Sequence, residues 1–161
     1  MDQTNLKLMQ ELQEDGRRSN RVLAKALGVS EGTVRKRIRD LRGKDLVRIV
    51  AVPNLHNMGF EFICIMGLQV RLSEIQQVSE QLAQYPNVYY LSNVTGRYDL
   101  MAILLFHNAR EMDDFVREAI SAMPAIHGTE TFVSMNIVKS PWRQALNVAE
   151  LLRTGRTKER K

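Results

Sequence analysis

The sequence predicts an α+β chain: an N-terminal winged-type helix-turn-helix followed by a ferredoxin-like βαββαβ domain. Three observations predict it. Residues 1–53 carry helical apolar spacing, cut by stop signals at Asp15-Gly16, Gly28 and Gly43. Residues 60–140 alternate strand-like and helix-like stretches in one order, twice over. Charge divides along the same line: net +5 over residues 1–53, −5 over 54–138 and +5 over 139–161. A basic head on an acidic body points to a polyanion as partner of the head alone.

The head reads as three helices. Asp2 is placed to cap the first, which carries Leu6, Met9 and Leu12 on one face with Leu8 beside them. Ser19 caps the second, with Val22, Leu23, Ala26 and Leu27, and Gly28 supplies the left-handed residue that ends it. Ser30 caps the third, whose apolar stripe is Val34, Ile38 and Leu41, and Gly43 ends it. Only Gly28-Val29-Ser30 joins the second helix to the third, a length that fits a helix-turn-helix corner. Ala24 allows a close crossing, Gly28 turns the chain and Val34 fills the gap. Leu46–Val52 reads as a strand closed by Pro53, which sets its own φ and donates no ladder bond. Residues 54–59 form the linker.

The outer face of the third helix carries the candidate chemistry. At about 100° per residue, Gly32, Lys36 and Arg39 lie opposite Val34 and Ile38, flanked by Thr33 and Arg35. Five basic residues fall within Arg35–Arg42, with Asp40 the one acid among them. A merely solvated helix face would interleave glutamates. The pattern is that of a duplex-DNA-reading helix. Thr33, Arg35 and Lys36 are expected in the major groove, where Gly32 removes bulk. Ser30, Arg39 and Arg42 are expected on phosphates, and Arg37, nearer the core edge, in either role. A dimer of such heads would bind half-sites about 34–36 Å apart or a multiple of that.

The body reads as strand Phe60–Val70, helix Ser73–Ala83, strand Val88–Val94, then strand Leu100–Phe106, helix Ala109–Ala122 and strand Thr129–Val138. Both helices are amphipathic, through Ile75, Val78 and Leu82 in one and Met112, Phe115, Val116 and Ala119 in the other. Their strands are apolar on both faces. Phe62, Cys64 and Met66 alternate with Ile63 and Ile65. Ala102 and Leu104 alternate with Met101, Ile103 and Leu105, and Val133, Met135 and Ile137 lie opposite Phe132. Two helices cover one face only, so the other needs a cover, most simply a second copy of the chain. Either parity could face that copy. A helix-like stretch, Trp142–Leu152, is an alternative cover, and a basic tail follows it within 141–161.

Other chemistries find little support. His56, His107 and His127 lack metal-ligand spacing, and the single cysteine, Cys64, sits in an apolar run as a core residue. Met66, Met101 and Met135 read as core or interface filler. No phosphate-cradling glycine loop or nucleophile elbow is present. No metal and no cofactor are therefore expected. No apolar run of about 18 residues is present, so no membrane-spanning helix is expected. The N-terminus lacks a signal-peptide pattern and there is no disulfide framework, so the expected location is the cytoplasm.

The order of parts resembles the Lrp/AsnC (leucine-responsive/asparagine regulator) family of transcription regulators. The resemblance rests on Leu12-Gln13-Glu14-Asp15-Gly16-Arg17, Leu23-Ala24-Lys25-Ala26-Leu27-Gly28-Val29-Ser30, Thr33-Val34-Arg35-Lys36-Arg37-Ile38 and Thr95-Gly96-Arg97-Tyr98-Asp99, and covers about residues 1–140. Gly43-Lys44-Asp45-Leu46-Val47 departs from the family's usual run after the recognition helix. The resemblance implies dimers through the C-terminal sheets, assembling further into tetramers or octamers. It also implies an amino acid or related small effector near the 95–99 loop, between subunits. The loop residues suit such a ligand. Gly96 permits a positive φ that leaves backbone N–H groups open, and Arg97 can bind a carboxylate. Asp99 would accept from an α-ammonium unless the turn uses it. Ser134 and Asn136, polar in an otherwise apolar strand, are expected in the same cleft, with Thr95 and Tyr98. The sequence-level expectation is thus a sequence-specific DNA-binding regulator, modulated by a zwitterion. The alternative is an enzyme of the similar haem-pathway decarboxylase type, against which the Arg35–Arg39 run argues.

Overall fold

The computed structural model describes residues 2–138. The chain divides into an N-terminal unit ending at Val52 and a second unit, Pro53–Ile137.

Three helices build the first unit: α1 (Gln3–Glu14), α2 (Asn20–Leu27) and α3 (Glu31–Gly43). Each starts where a short polar side chain accepts from a freed backbone N–H. Asp2 takes the N–H of Asn5 at 2.7 Å, Ser19 that of Val22 at 3.3 Å and Ser30 that of Thr33 at 3.1 Å. α2 ends on Gly28 at φ 65°. Leu8, Leu23 and Val34 are fully buried where the three helices meet, with Met9, Leu12, Ala24 and Leu41 around them. Burying each of the larger side chains contributes about 1.5–3 kcal/mol. α3 ends differently from expectation. Gly43 lies in its last turn, and the left-handed residue is Asp45, at φ 52°.

Leu46–Val52 is not a strand. The segment lacks a ladder partner among the described residues, and Leu46, Ile49, Val50 and Val52 stay exposed. Strand propensity is realised only against a neighbouring strand, and among the described residues none pairs with this segment.

The second unit contains β1 (Phe62–Val70), α4 (Ile75–Leu82), β2 (Val88–Asn93), β3 (Leu100–Phe106), α5 (Ala109–Phe115) and β4 (Ile126–Val133). A 3-10 turn, Leu72–Glu74, leads into α4, and a π-helical turn, Val116–Ile120, continues α5. The sheet is antiparallel in the order β2-β3-β1-β4, the ferredoxin-like arrangement. The loop after β2 therefore joins an edge strand to a central one.

The last strand starts at Ile126 and stops at Val133, against the expected Thr129–Val138. Gly128 looks like a strand breaker in the sequence, yet the ladder runs through it because the Gln69 side chain lies over the vacant Cβ position. Beyond Val133 the ladder ends soon after the Ser134 N–H donates to the Ile63 carbonyl at 2.8 Å. The stretch Trp142–Leu152 and the basic tail lie outside the described residues.

The two faces of the sheet are distinct. Cys64, Met66, Leu68 and Val70 of β1 and Leu100, Ala102, Leu104 and Phe106 of β3 are buried against Val78, Leu82, Phe115, Ala119 and Ile120. Among the described residues, the opposite parity carries no helix. Across it, the strand registers align Tyr90, Ile103, Ile65 and Phe132 in one row. Tyr90 is 52% exposed, Ile65 40% and Phe132 49%.

Candidate DNA-reading face and ligand loop

Two arrangements stand out, one in each unit. In the first, Ser30 Oγ sits 2.8 Å from Thr33 Oγ1 and fixes the first turn of α3. The buried stripe of Val34 and Leu41, with Ile38 half-buried, turns the opposite side outward. Gly32, Arg35, Lys36, Arg39 and Arg42 are all exposed, and Thr33 is half-buried at their edge. A Cβ at Gly32 would meet only Ser30 Oγ, at 3.8 Å, so packing does not demand a glycine there.

Some cations of this unit are paired with carboxylates. Arg18 pairs with Glu11 and Glu14, and Arg48 with Asp45. Among the described residues, Arg35, Lys36, Arg39 and Arg42 have no ion-pair partner. The face is therefore a patch of free cations at a helix whose N-terminus adds partial positive charge.

Arg37 departs from the sequence-level expectation of a DNA contact. It turns toward α1, where Nη1 donates to Asp2 at 2.6 Å and to Asn5 Oδ1 at 2.8 Å. That arrangement makes it a brace between the first and third helices. The Arg37 guanidinium, then the Asn5 N–H, hold the Asp2 carboxyl below its ordinary pKa.

In the second unit, Thr95–Asp99 connects β2 to β3. The Val94 N–H bonds the Asp99 carbonyl at 3.0 Å, and the Asp99 N–H bonds the Leu68 carbonyl at 2.9 Å. Asp99 Oδ2 accepts the Val70 N–H at 2.7 Å. The turn thus uses this oxygen as a latch on the end of β1. Gly96 has φ 121°, and a Cβ there would meet nothing within 4 Å, so the loop tip is open.

The Tyr98 ring lies on Gly67 of β1, and its hydroxyl donates to Glu130 of β4. The Arg97 guanidinium stands 5.5 Å from the Tyr98 ring centroid and 3.5 Å from Glu130. Gln69 Nε2 donates to the Arg97 carbonyl at 3.2 Å. Thr95 is exposed, as are Gly96 and Arg97, while Tyr98 and Asp99 are half-buried.

Ser134 and Asn136 do not join this loop within one chain. Antiparallel pairing sets Val133 opposite Cys64, at the start of β1, whereas Asp99 bonds Leu68 and Val70 at its end. At about 3.3 Å per residue, roughly 20 Å of strand separates them. The residues that reach the loop instead are Gly67, Gln69 and Glu130, with Gly128 beneath the Gln69 side chain. Glycines inside two strands are the sequence signal that could have found them, since a strand glycine marks close approach. Cys64 is a buried core thiol whose pKa is raised by desolvation, beside Met112 Sδ at 3.5 Å.

A helix-turn-helix bearing free cations, followed by a ferredoxin-like unit with an open loop, defines a transcription regulator with a DNA-binding head. Comparison with known proteins names the kind. The AsnC-type helix-turn-helix domain matches residues 1–42, and the Lrp/AsnC ligand binding domain matches residues 63–142. The chain belongs to the Lrp/AsnC family. It is 31% identical over 144 residues to an uncharacterized HTH-type transcriptional regulator of Pyrococcus furiosus, covering 89% of this chain and 97% of that one. The HTH-type transcriptional regulator Ptr1 of Methanocaldococcus jannaschii is 29% identical over 140 residues, with 86% and 95% covered. Among solved structures, AsnC of E. coli superposes with a TM-score of 0.83 at 17% identity, covering 87% of this chain and 95% of that one. A transcriptional regulator of Neisseria meningitidis, solved as a complex with L-Met, gives 0.81 at 18% identity, with 87% and 93% covered. At these identities the structural likeness shows a shared fold.

Proposed function

We propose that this regulator binds specific duplex-DNA sites as a homodimer or larger homo-oligomer, and that an amino-acid-like ligand at the 95–99 loop modulates it in the cytoplasm. The observation that carries the reading is the clustering of Arg35, Lys36, Arg39 and Arg42 on the outer face of α3, exposed and without an ion-pair partner among the described residues. Lys36, Arg35 and Thr33 read base edges, and Gly32 lets the helix approach. Arg39, Arg42 and Ser30 hold phosphates. Arg37 acts at one remove, by fixing α3 against α1.

The uncovered apolar row Tyr90–Ile103–Ile65–Phe132 supports self-association, because a second sheet of the same kind removes it from water. The open tip at Gly96 and the nearby Arg97 support a carboxylate-bearing ligand. The complex of the Neisseria relative with L-Met agrees with an amino acid. A ligand alters DNA affinity only if it favours one assembly over another. Nothing in the site favours the decarboxylase reading.

Selection of genomic fragments by the purified protein, followed by anisotropy titrations over a salt series, tests the DNA reading. Lys36→Ala should relax base preference, and Arg42→Ala should lower the salt slope by about one. Salt-insensitive, wild-type affinity in an Arg35→Ala/Lys36→Ala/Arg39→Ala variant would refute it.

A further inference from the structure

We propose that an aromatic cleft in the second unit, between Phe60 and one flank of α5, binds a linear aliphatic polyamine. The cleft has a volume of about 620 Å³. It lies at the end of the sheet where β1 begins and β3 ends, opposite the end that carries the 95–99 loop.

Its lining is mainly apolar. The Phe60 ring stacks on the His107 ring with centroids 4.3 Å apart, and Tyr85 meets Phe115 edge-on at 5.4 Å. Leu105, Phe115 and Ala119 are buried and line the cleft from the core. The wall at Asn87 is held by the backbone of β3. The Asn87 side chain donates to the Leu105 carbonyl at 3.2 Å, and the Asn87 carbonyl accepts the Leu105 N–H at 2.9 Å.

The charge around this apolar lining has one sign. Glu111, Asp114 and Glu118 reach the cleft from a single flank of the helix and its π-helical continuation, over roughly 10 Å of axis. Asp114 and Glu118 are exposed and hold no hydrogen bond or ion pair among the described residues, while Arg117 closes on Asp113 at 2.8 Å. The His107 backbone N–H, then its imidazole, hold the Glu111 carboxyl below its ordinary pKa. No lysine or arginine is among the residues that line the cleft.

These features select the occupant. An anion or a zwitterion would bring a carboxylate against three others, with no lysine or arginine to meet it. A metal ion would meet the carboxylates but leave the aromatic walls in water. A polyamine serves both. Its methylene chains cover Phe60, Tyr85 and Leu105, and its ammonium groups, held apart by those chains, meet successive carboxylates and the ring faces. A lysine-rich protein segment carries like charge, but its side chains fan out from a backbone, whereas these carboxylates stand in one file.

The test is calorimetric titration of the full chain with spermidine, a linear triamine, at about 0.15 M salt. Saturable binding is expected, with magnesium chloride at equal total charge at least about tenfold weaker. Asp114→Asn/Glu118→Gln should weaken spermidine about tenfold or more. Glu74→Gln/Glu80→Gln removes the same charge outside the cleft and should leave binding unchanged. Phe60→Leu should cost about threefold through the lost ring face. Melting curves establish that each variant is folded. Equal losses in the two double variants would reduce the effect to general charge attraction and overturn the site, as would the absence of saturable binding to wild type. Binding of an oligolysine peptide without binding of spermidine would overturn the ligand class.

Discussion

Gly67 is the position where one methyl group should report most directly on the ligand loop. A Cβ there would lie 2.6, 2.7 and 2.8 Å from three carbons of the Tyr98 ring. Carbon atoms in contact prefer about 3.5–4.0 Å, so the ring must retreat by about 1 Å. It is not free to do so, because its hydroxyl is bonded to Glu130 and the next residue, Asp99, is latched to Leu68 and Val70. Overpacking of this kind costs about 1–3 kcal/mol, and loss of a hydrogen bond to a charged group about 1.5–3 kcal/mol. Alanine returns about 0.5–1 kcal/mol over glycine in a strand. The net for Gly67→Ala is about 2–5 kcal/mol of destabilisation. In a unit of this size that lowers the melting temperature by about 10–40 °C. Scanning calorimetry of the full chain reads it in the transition of the second unit. The same change in a Tyr98→Ala background should be neutral or slightly stabilising. Equal penalties in both backgrounds would refute the ring-on-glycine packing, whatever their size.

Two further outcomes follow from the first unit and the free sheet face. Asp2 has a folded pKa below its unfolded value, so its ionised form stabilises the fold above the ordinary carboxylate range, and this is lost as pH falls through the lowered value. Asp2→Asn should therefore flatten the acid limb of urea stability below the ordinary carboxylate range; an unchanged limb would remove Arg37 from its bracing role. Light scattering of the wild type should give at least twice the 18.5 kDa chain mass, and Ile65→Asp, in the centre of the apolar row, should shift it toward a monomer. A folded wild-type monomer at micromolar concentration would rule out self-association through that face.

Most of the first unit was legible in its residues, because the signals there are local. Asp2, Ser19 and Ser30 cap helices through bonds to residues three positions on, and Gly28 turns the corner with its own backbone. The outer face of α3 follows from helical spacing alone, as does the ferredoxin-like order of the second unit from its repeat. What failed was whatever depended on a partner far along the chain. Leu46–Val52 has the composition of a strand but no ladder partner among the described residues. The last strand took Gly128 into its ladder because Gln69, almost sixty residues earlier, covers it. Helical spacing places Arg37 nearer the core edge, but its α1 partners, Asp2 and Asn5, could not be read from the sequence. At the loop, the sequence supplied Gly96, Arg97 and Tyr98. Only the register of β1 with β4 brought Gly67 and Glu130 to them and carried Ser134 and Asn136 to the other end of the sheet. The physical reason is common to all of these. Caps and periodicities are written within a few residues, whereas the partner of a strand, a glycine or a charge is chosen by tertiary pairing, in which a shift of one residue turns every side chain to the opposite face.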